Sequence, residues 1–196
     1  VTASDRPVRP RHAASLVLVR RSARRLEVLM GRRPVKSRFA PDVYVFPGGR
    51  LDRADWATAA ARPLDPASVR RSAAPPAMAE ALAAAALRET AEETGLILPA
   101  DHAALTLMAR AITPTNSPIR FHARFFLADW DEAHGRHADS HELTDLAFRP
   151  LDEVAQLPLM DVTEAVLAGL AKLEQGRLEP FLFTYRRGRA HIRALD

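Results

Sequence analysis

The run Arg88-Glu89-Thr90-Ala91-Glu92-Glu93-Thr94-Gly95-Leu96 puts three carboxylates on neighbouring positions of a predicted helix and stops that helix with a glycine. Advancing three or four residues brings an α-helix round by roughly one turn, so Glu89, Glu92 and Glu93 point in nearly the same direction. Like charges at this spacing destabilise a helix by roughly a few tenths of a kcal/mol, and Arg88 is the one cation at hand. A magnesium or manganese ion prefers oxygen ligands and keeps several waters, and it would turn the cluster into a site that grips a polyphosphate. The competing reading is a solvated face, the ordinary fate of a Glu-rich helix. On the carboxylates alone, both stay open.

The surroundings favour the metal. Phe46-Pro47-Gly48-Gly49 lies upstream, Glu80 stands eight residues before Arg88, and Gly95 ends the helix. Together these residues resemble the Nudix hydrolase box, G-x5-E-x7-R-E-U-x-E-E-x-G-U with U a bulky apolar residue. Glu80, Arg88, Glu89, Glu92, Glu93, Gly95 and Leu96 fall on motif positions, whereas Thr90 stands at the first U and Ala74 where the box glycine belongs. The nearest paired glycines are Gly48-Gly49, so about thirty residues are inserted inside the box. In this the chain resembles a split-box subgroup typified by a mammalian peroxisomal enzyme that cleaves coenzyme A. Phe46 to Asp52 is similar to that subgroup's FPGG-x-L-D opening, and Ile112-Thr113-Pro114-Thr115, Arg120-Phe121 and Phe125-Phe126-Leu127 are similar to its central strands. The resemblance spans roughly residues 13 to 155.

That resemblance implies an α/β protein, a Nudix α/β/α sandwich with a mixed β-sheet between helices. One domain over residues 1–196 is expected, with an insertion at about 50–76. The implied activity is metal-dependent hydrolysis of a diphosphate linkage in a nucleoside diphosphate derivative, such as coenzyme A or acyl-coenzyme A, with Mg2+ or Mn2+ as cofactor. Glu89, Glu92, Glu93 and the Gly48 carbonyl would bind metal, and Arg88 would orient the neighbouring carboxylates. Glu142 is the candidate for a further acid after the central strands, as metal ligand or base, with Asp139 and Asp145 close behind. Arg32, Arg33, Lys36 and Arg38 would meet the additional 3'-phosphate, or form a solvated strand end. Two alternatives stand beside this reading: a general nucleotide-sugar, ADP-ribose or NADH pyrophosphatase, and a Nudix-fold sensor that binds a nucleotide without cleaving it.

The elements that must position these residues can be read from pattern. Ala13–Val19 and Leu26–Met30 are apolar runs separated by the charged segment Arg20 to Arg24, which predicts strand, turn, strand. Val43–Phe46 predicts a brief strand ended by Pro47-Gly48-Gly49, where glycine lets backbone approach a metal or phosphate. Four prolines across residues 50–76 predict a loop with one or two short helices, a lid or a packing appendage, in which Trp56 would contact substrate or, as is commoner, anchor the insertion to the body. The box helix is predicted over Ala77–Thr94, with Ala83, Ala86, Leu87 and Thr90 inward and the carboxylates outward. Gly95 supplies its left-handed cap. Glu80 and Arg88, about two turns apart, are near enough to pair.

Leu105–Ile112 and Ile119–Leu127 predict strands. In the second, Arg120, His122 and Arg124 share one face, to contact phosphate if it lines the cleft or water if it does not. His134, His137 and His141 sit in a charged loop without cysteine, a pattern that favours solvation over zinc. Leu143–Phe148 predicts a strand, Asp161 with Glu164 a capping-box start for a helix ending at Gly176, and Phe181–Tyr185 a last strand before a solvated Arg186-Arg187-Gly188-Arg189 tail.

Composition bounds the rest. A chain of 196 residues, 47% hydrophobic, supports one sizeable core. Without cysteine there is neither a disulfide framework nor thiol chemistry. No run of about eighteen apolar residues predicts a membrane span, and the polar start lacks a signal-peptide core, so a cytoplasmic location is expected. The net charge of +4 suits a phosphate-rich partner. Basic residues are dispersed and lack the aromatic interleaving of single-strand binders, which favours a small nucleoside diphosphate over nucleic acid.

Overall fold

A computed structural model describes residues 8–22, 25–58 and 60–196. Residues 1–7 of the polar start and the tip of the first charged turn, Ala23 and Arg24, lie outside the described residues. The described residues form nine strands: β1 (Arg11–Ser22), β2 (Arg25–Arg32), β3 (Tyr44–Val45), β4 (Gly48–Arg50), β5 (Thr106–Ile112), β6 (Phe121–Asp129), β7 (Thr144–Pro150), β8 (Phe181–Arg186) and β9 (Arg189–Ala194). Their helices are α1 (Pro66–Ser72), α2 (Pro76–Thr94), α3 (Leu151–Val154) and α4 (Asp161–Glu174). The strands join in one mixed sheet of order β3-β2-β1-β6-β5-β8-β9, with β4 on β1 and β7 on β2. β1 runs parallel to β6 and antiparallel to β2 and β4.

β1 shows why the sheet lies between helices. Its alternate residues go to opposite faces, and both faces are buried. Leu16 and Leu18 join Leu82, Ala83 and Ala86 of α2 in one core, while Val17 and Val19 join Val166, Leu167 and Leu170 of α4 in another. Alanine along α2 brings its backbone close to the sheet. The fold is therefore the expected α/β/α sandwich.

Residues 50–76 form a 3-10 turn at Ala54–Ala57 and then α1, capped by Asp65 accepting from the amides of Ala67 and Ser68. Ser68 and Ser72 are buried, and Ser68 Oγ accepts from Leu107 N at 2.9 Å. The segment is thus packed against the body, the appendage rather than the lid of the two expectations. Its anchor is not Trp56, which is 49% exposed, but Asp55, which is 2% exposed.

Two terminal expectations are corrected. Asp161 is the first residue of α4, preceded by Met160 without a side-chain cap, and its carboxylate accepts from the Tyr185 hydroxyl. The Arg186–Arg189 segment is a hairpin turn with positive φ at Arg187 and Gly188, leading into β9 rather than a loose tail.

Candidate active site

α2 carries the box residues. Pro76 occupies its first turn, where a missing amide hydrogen costs nothing, and Gly95 ends it at φ 75° with its amide on Ala91 O. Thr90, where a bulky apolar residue was expected, is fully buried, and its hydroxyl donates to Ala86 O at 2.7 Å. A short side chain that bonds its own helix fits where α2 lies tight on the sheet.

The Phe46-Pro47-Gly48-Gly49 turn closes on the end of this helix. Gly48 N donates to Glu93 Oε2 at 2.8 Å. A Cβ on Gly48, at φ 154°, would stand 2.5 Å from Ser15 Cα. On Gly49 it would stand 2.5 Å from Glu89 Oε2, so the second glycine leaves room for a carboxylate.

Arg88 holds the acids from behind. Its Nε and Nη2 donate to the two carboxylate oxygens of Asp55 at 2.8 and 3.1 Å, and its Nη1 donates to Glu89 at 2.9 Å and Glu92 at 3.1 Å. Asp55 foremost, and then Glu89, push the guanidinium pKa up. The expected Arg88–Glu80 pair does not form. Glu80 instead accepts from Leu64 N and pairs with His102 Nδ1 at 2.6 Å, tying the insertion to the body.

The carboxylates do not all face outward. Glu93 is 4% exposed, and burial, aided by Glu89 and Glu142 against the Gly48 N–H, pushes its carboxyl up to about 8. Glu89 is raised mainly by burial too, with Arg88 opposing. Glu92 is 60% exposed and turned onto Arg88. Among the described residues, no three histidine, aspartate or glutamate side chains are gathered closely enough to hold an ion as they stand. Glu93, Glu89 and Glu142 nevertheless act on one another as like charges with Arg88 already engaged, an excess of negative oxygen that suits a hard divalent cation.

A cavity of about 470 Å³ opens from these acids. Glu89, Glu92, Glu93, Glu142 and Gly48 line one side, Ala111, Ala123 and Phe125 floor it, and Phe39 and Phe121 meet edge to face at 5.0 Å on its wall. Glu142 is mostly exposed and touches His141. Its rivals are occupied elsewhere: Asp139 accepts from the amides of Asp145 and Leu146, and Asp145 engages Tyr44 and Arg149. Among the histidines, His134 pairs by backbone with Ile97 and His137 meets Phe148 edge-on.

The expected substrate arginines divide. Arg33 lines the cavity, its Nε on Phe39 O. Arg32 pairs outside it with Asp42 at 2.8 Å. Arg120, expected on a phosphate-facing strand, lies before β6 and spends its guanidinium on Thr113 O and Val8 O. It does not line the cavity; nor do Arg124 and His122, which belong to the opposite face of β6. Sequence reasoning missed Asp55 and Phe39, which no local pattern marks, and Arg50, a cavity-lining neighbour of the glycine turn.

The mixed sheet between helical layers, with the carboxylate helix against a glycine turn, is the Nudix fold. The NUDIX domain family model matches residues 76–168. A NUDIX hydrolase from Alicyclobacillus acidocaldarius is similar at 28% identity and a TM-score of 0.70, over 87% of this chain and 97% of that one. A MutT protein from Bacillus halodurans shares the fold at 17% identity and a TM-score of 0.59, over 94% and 97% of the two chains. So does the NUDIX domain of Shewanella oneidensis NrtR, complexed with ADP ribose, at 16% identity and a TM-score of 0.57, over 85% and 89%. Comparison with curated proteins finds no match. The NUDIX domain match over residues 76–168 and the likeness to the Alicyclobacillus NUDIX hydrolase support a Nudix hydrolase, a class of enzymes that are generally metal-dependent pyrophosphohydrolases acting on small nucleoside diphosphates. Among the described residues, no helix is long and apolar enough to cross a membrane.

Proposed function

We propose that this protein, as a single Nudix domain with an insertion at about 50–76, hydrolyses a diphosphate linkage in a nucleoside diphosphate derivative. The observation that carries the reading is the closure of Gly48-Gly49 on Glu93 and Glu89 at one end of an aromatic-walled cavity. Glu89, Glu92 and Glu93, with the Gly48 carbonyl, would hold Mg2+ or Mn2+. When bound, such an ion neutralises non-bridging phosphate oxygens and acidifies water. The chain's own residues do the rest. Arg88, fixed by Asp55, holds the Glu89 and Glu92 carboxylates in place, and Gly48 N fixes Glu93. Glu142, or one of the box acids, accepts the proton of the attacking water. Arg33 and Arg50 meet the diphosphate, and Phe39 and Phe121 offer a wall for a base or an apolar tail.

Coenzyme A and acyl-coenzyme A are the substrates that the split-box resemblance suggests. The engagement of Arg32 and Arg120 elsewhere favours a second reading, a general hydrolase for ADP-ribose, nucleotide sugars or NADH, because it leaves fewer cations for a 3'-phosphate. The ADP ribose bound by the Shewanella domain belongs to that class of ligand. Incubation with Mg2+ and coenzyme A, an acyl-coenzyme A, ADP-ribose or NADH, with products identified by mass, separates these readings. Release of adenosine 3',5'-bisphosphate from coenzyme A supports the first, and cleavage confined to compounds without the 3'-phosphate supports the second. Binding without cleavage across the panel would reject hydrolysis in favour of a sensor.

A further inference from the structure

The sheet face opposite the floor of the active-site cavity carries a cluster of buried nitrogen donors, two of them cations. Arg110 and Arg124 are cross-strand partners on β5 and β6, and His122 lies two residues along β6 on the same face, opposite His12 of β1. Arg124 is fully buried and Arg110 is 8% exposed. Arg124 donates to Ser72 O at 3.1 Å, His122 O at 2.8 Å and His12 Nδ1 at 2.9 Å, yet its Nη2 has no partner among the described residues. Arg110 Nε and His122 Nε2 are buried without partners too. Among the described residues, the charges acting on these three side chains are positive: Arg110 on Arg124, Arg193 on Arg110, and Arg124, Arg110 and His12 on His122. Burying unpaired cations and unsatisfied donors is unfavourable, and the arrangement supplies donors in need of negative oxygen.

We propose that Arg110, Arg124 and His122 bind one phosphate-sized oxyanion on the sheet face opposite the floor of the active-site cavity. The ligand is compact, because Arg110, Arg124 and His122 are buried side chains that line neither the active-site cavity nor the cavity beside His12. His12, which accepts from Arg124, forms part of the wall of a second cavity of about 460 Å³, lined also by Arg11, Arg50 and Arg88 and by the carboxylates of Asp52 and Glu89. That cavity brings solvent to His12, past arginines and carboxylates alike. The strands connect the two faces. Ala111 and Ala123, next in sequence to Arg110 and Arg124, floor the active-site cavity, so the anion would brace the strands beneath the substrate.

The test is calorimetric titration of the whole chain with inorganic phosphate, and separately with a sugar phosphate monoester, in metal-free buffer at constant ionic strength. One phosphate per chain is expected, with binding at least about tenfold weaker in Arg110→Met and in His122→Phe, the effect of losing one charge-assisted hydrogen bond. Glu93→Gln should bind phosphate as the wild type does. Arg110→Met should melt no lower than the wild type in phosphate-free buffer, because it removes an unpaired buried charge. Binding of the free ion alone assigns the site to free phosphate, and binding of both probes assigns it to the phosphoryl group of a larger molecule. Absence of phosphate binding to the wild type, or undiminished binding by both variants, would overturn the proposal.

Discussion

Gly49→Ala isolates the position of one carboxylate from the stability of the fold. The new Cβ would stand 2.5 Å from Glu89 Oε2, whereas ordinary van der Waals contact begins at 3.4 Å, so the carboxylate must retreat by about 1 Å. Glu89 is the free end of a flexible side chain, and Gly49 does not need positive φ. The lost Arg88 Nη1 hydrogen bond costs about 1 kcal/mol, offset by roughly 0.4–1 kcal/mol from stiffening the unfolded chain. The melting temperature should therefore hardly move. A reacting group displaced by roughly 1 Å can cost about a hundredfold in rate, so kcat/KM for the preferred substrate should fall by about that factor at saturating Mg2+. Gly48→Ala is the contrasting control. Its Cβ would meet backbone, 2.5 Å from Ser15 Cα, at φ 154°, and it should destabilise the fold by about 2–4 kcal/mol. Full activity in a folded Gly49→Ala protein would refute the assignment of Glu89.

Asp55→Asn removes the buried charge on which Arg88 rests. Chemical denaturation should show a loss of about 1–3 kcal/mol, less than for a fully buried pair because Arg88 keeps Glu89 and Glu92, whereas Trp56→Ala should change stability by less than about 0.5 kcal/mol. Glu93 gives a pH signature in the metal-free protein. Its folded pKa of about 8 lies above the ordinary carboxylate value of 4.5, so the stability it contributes is fully present below pH 4.5 and lost as pH rises through 8. Thermal melts should record a fall on the order of a few kcal/mol across that window, and Glu93→Gln should flatten it. An equal slope in wild type and variant would contradict the buried-acid reading. Glu142→Gln, being mostly exposed, should leave the melting temperature unchanged and lower kcat by about 100-fold or more if Glu142 is the general base.

Much of this arrangement was legible because it rests on short-range rules. Helical spacing put the box acids on one helix, Gly95 capped α2 as expected, and the apolar run of β1 and the alternation in β6 read correctly as strands. What escaped sequence reading depends on contacts far apart in the chain. Asp55 reaches Arg88 across 33 residues, and Val8 O captures Arg120 across 112. Spacing puts Glu93 beside Glu92 but does not say that the returning glycine turn buries one and leaves the other in water. Arg124 and His122 were rightly placed on one strand face, yet only the third dimension shows that the cavity lies under the other.

Manganese uptake tests the central claim most directly. Free Mn2+ measured by electron paramagnetic resonance during titration should show saturable binding by the wild type, and at least about tenfold weaker binding by folded Glu89→Gln and Glu93→Gln proteins. Undiminished manganese binding by the doubly substituted protein would contradict the account.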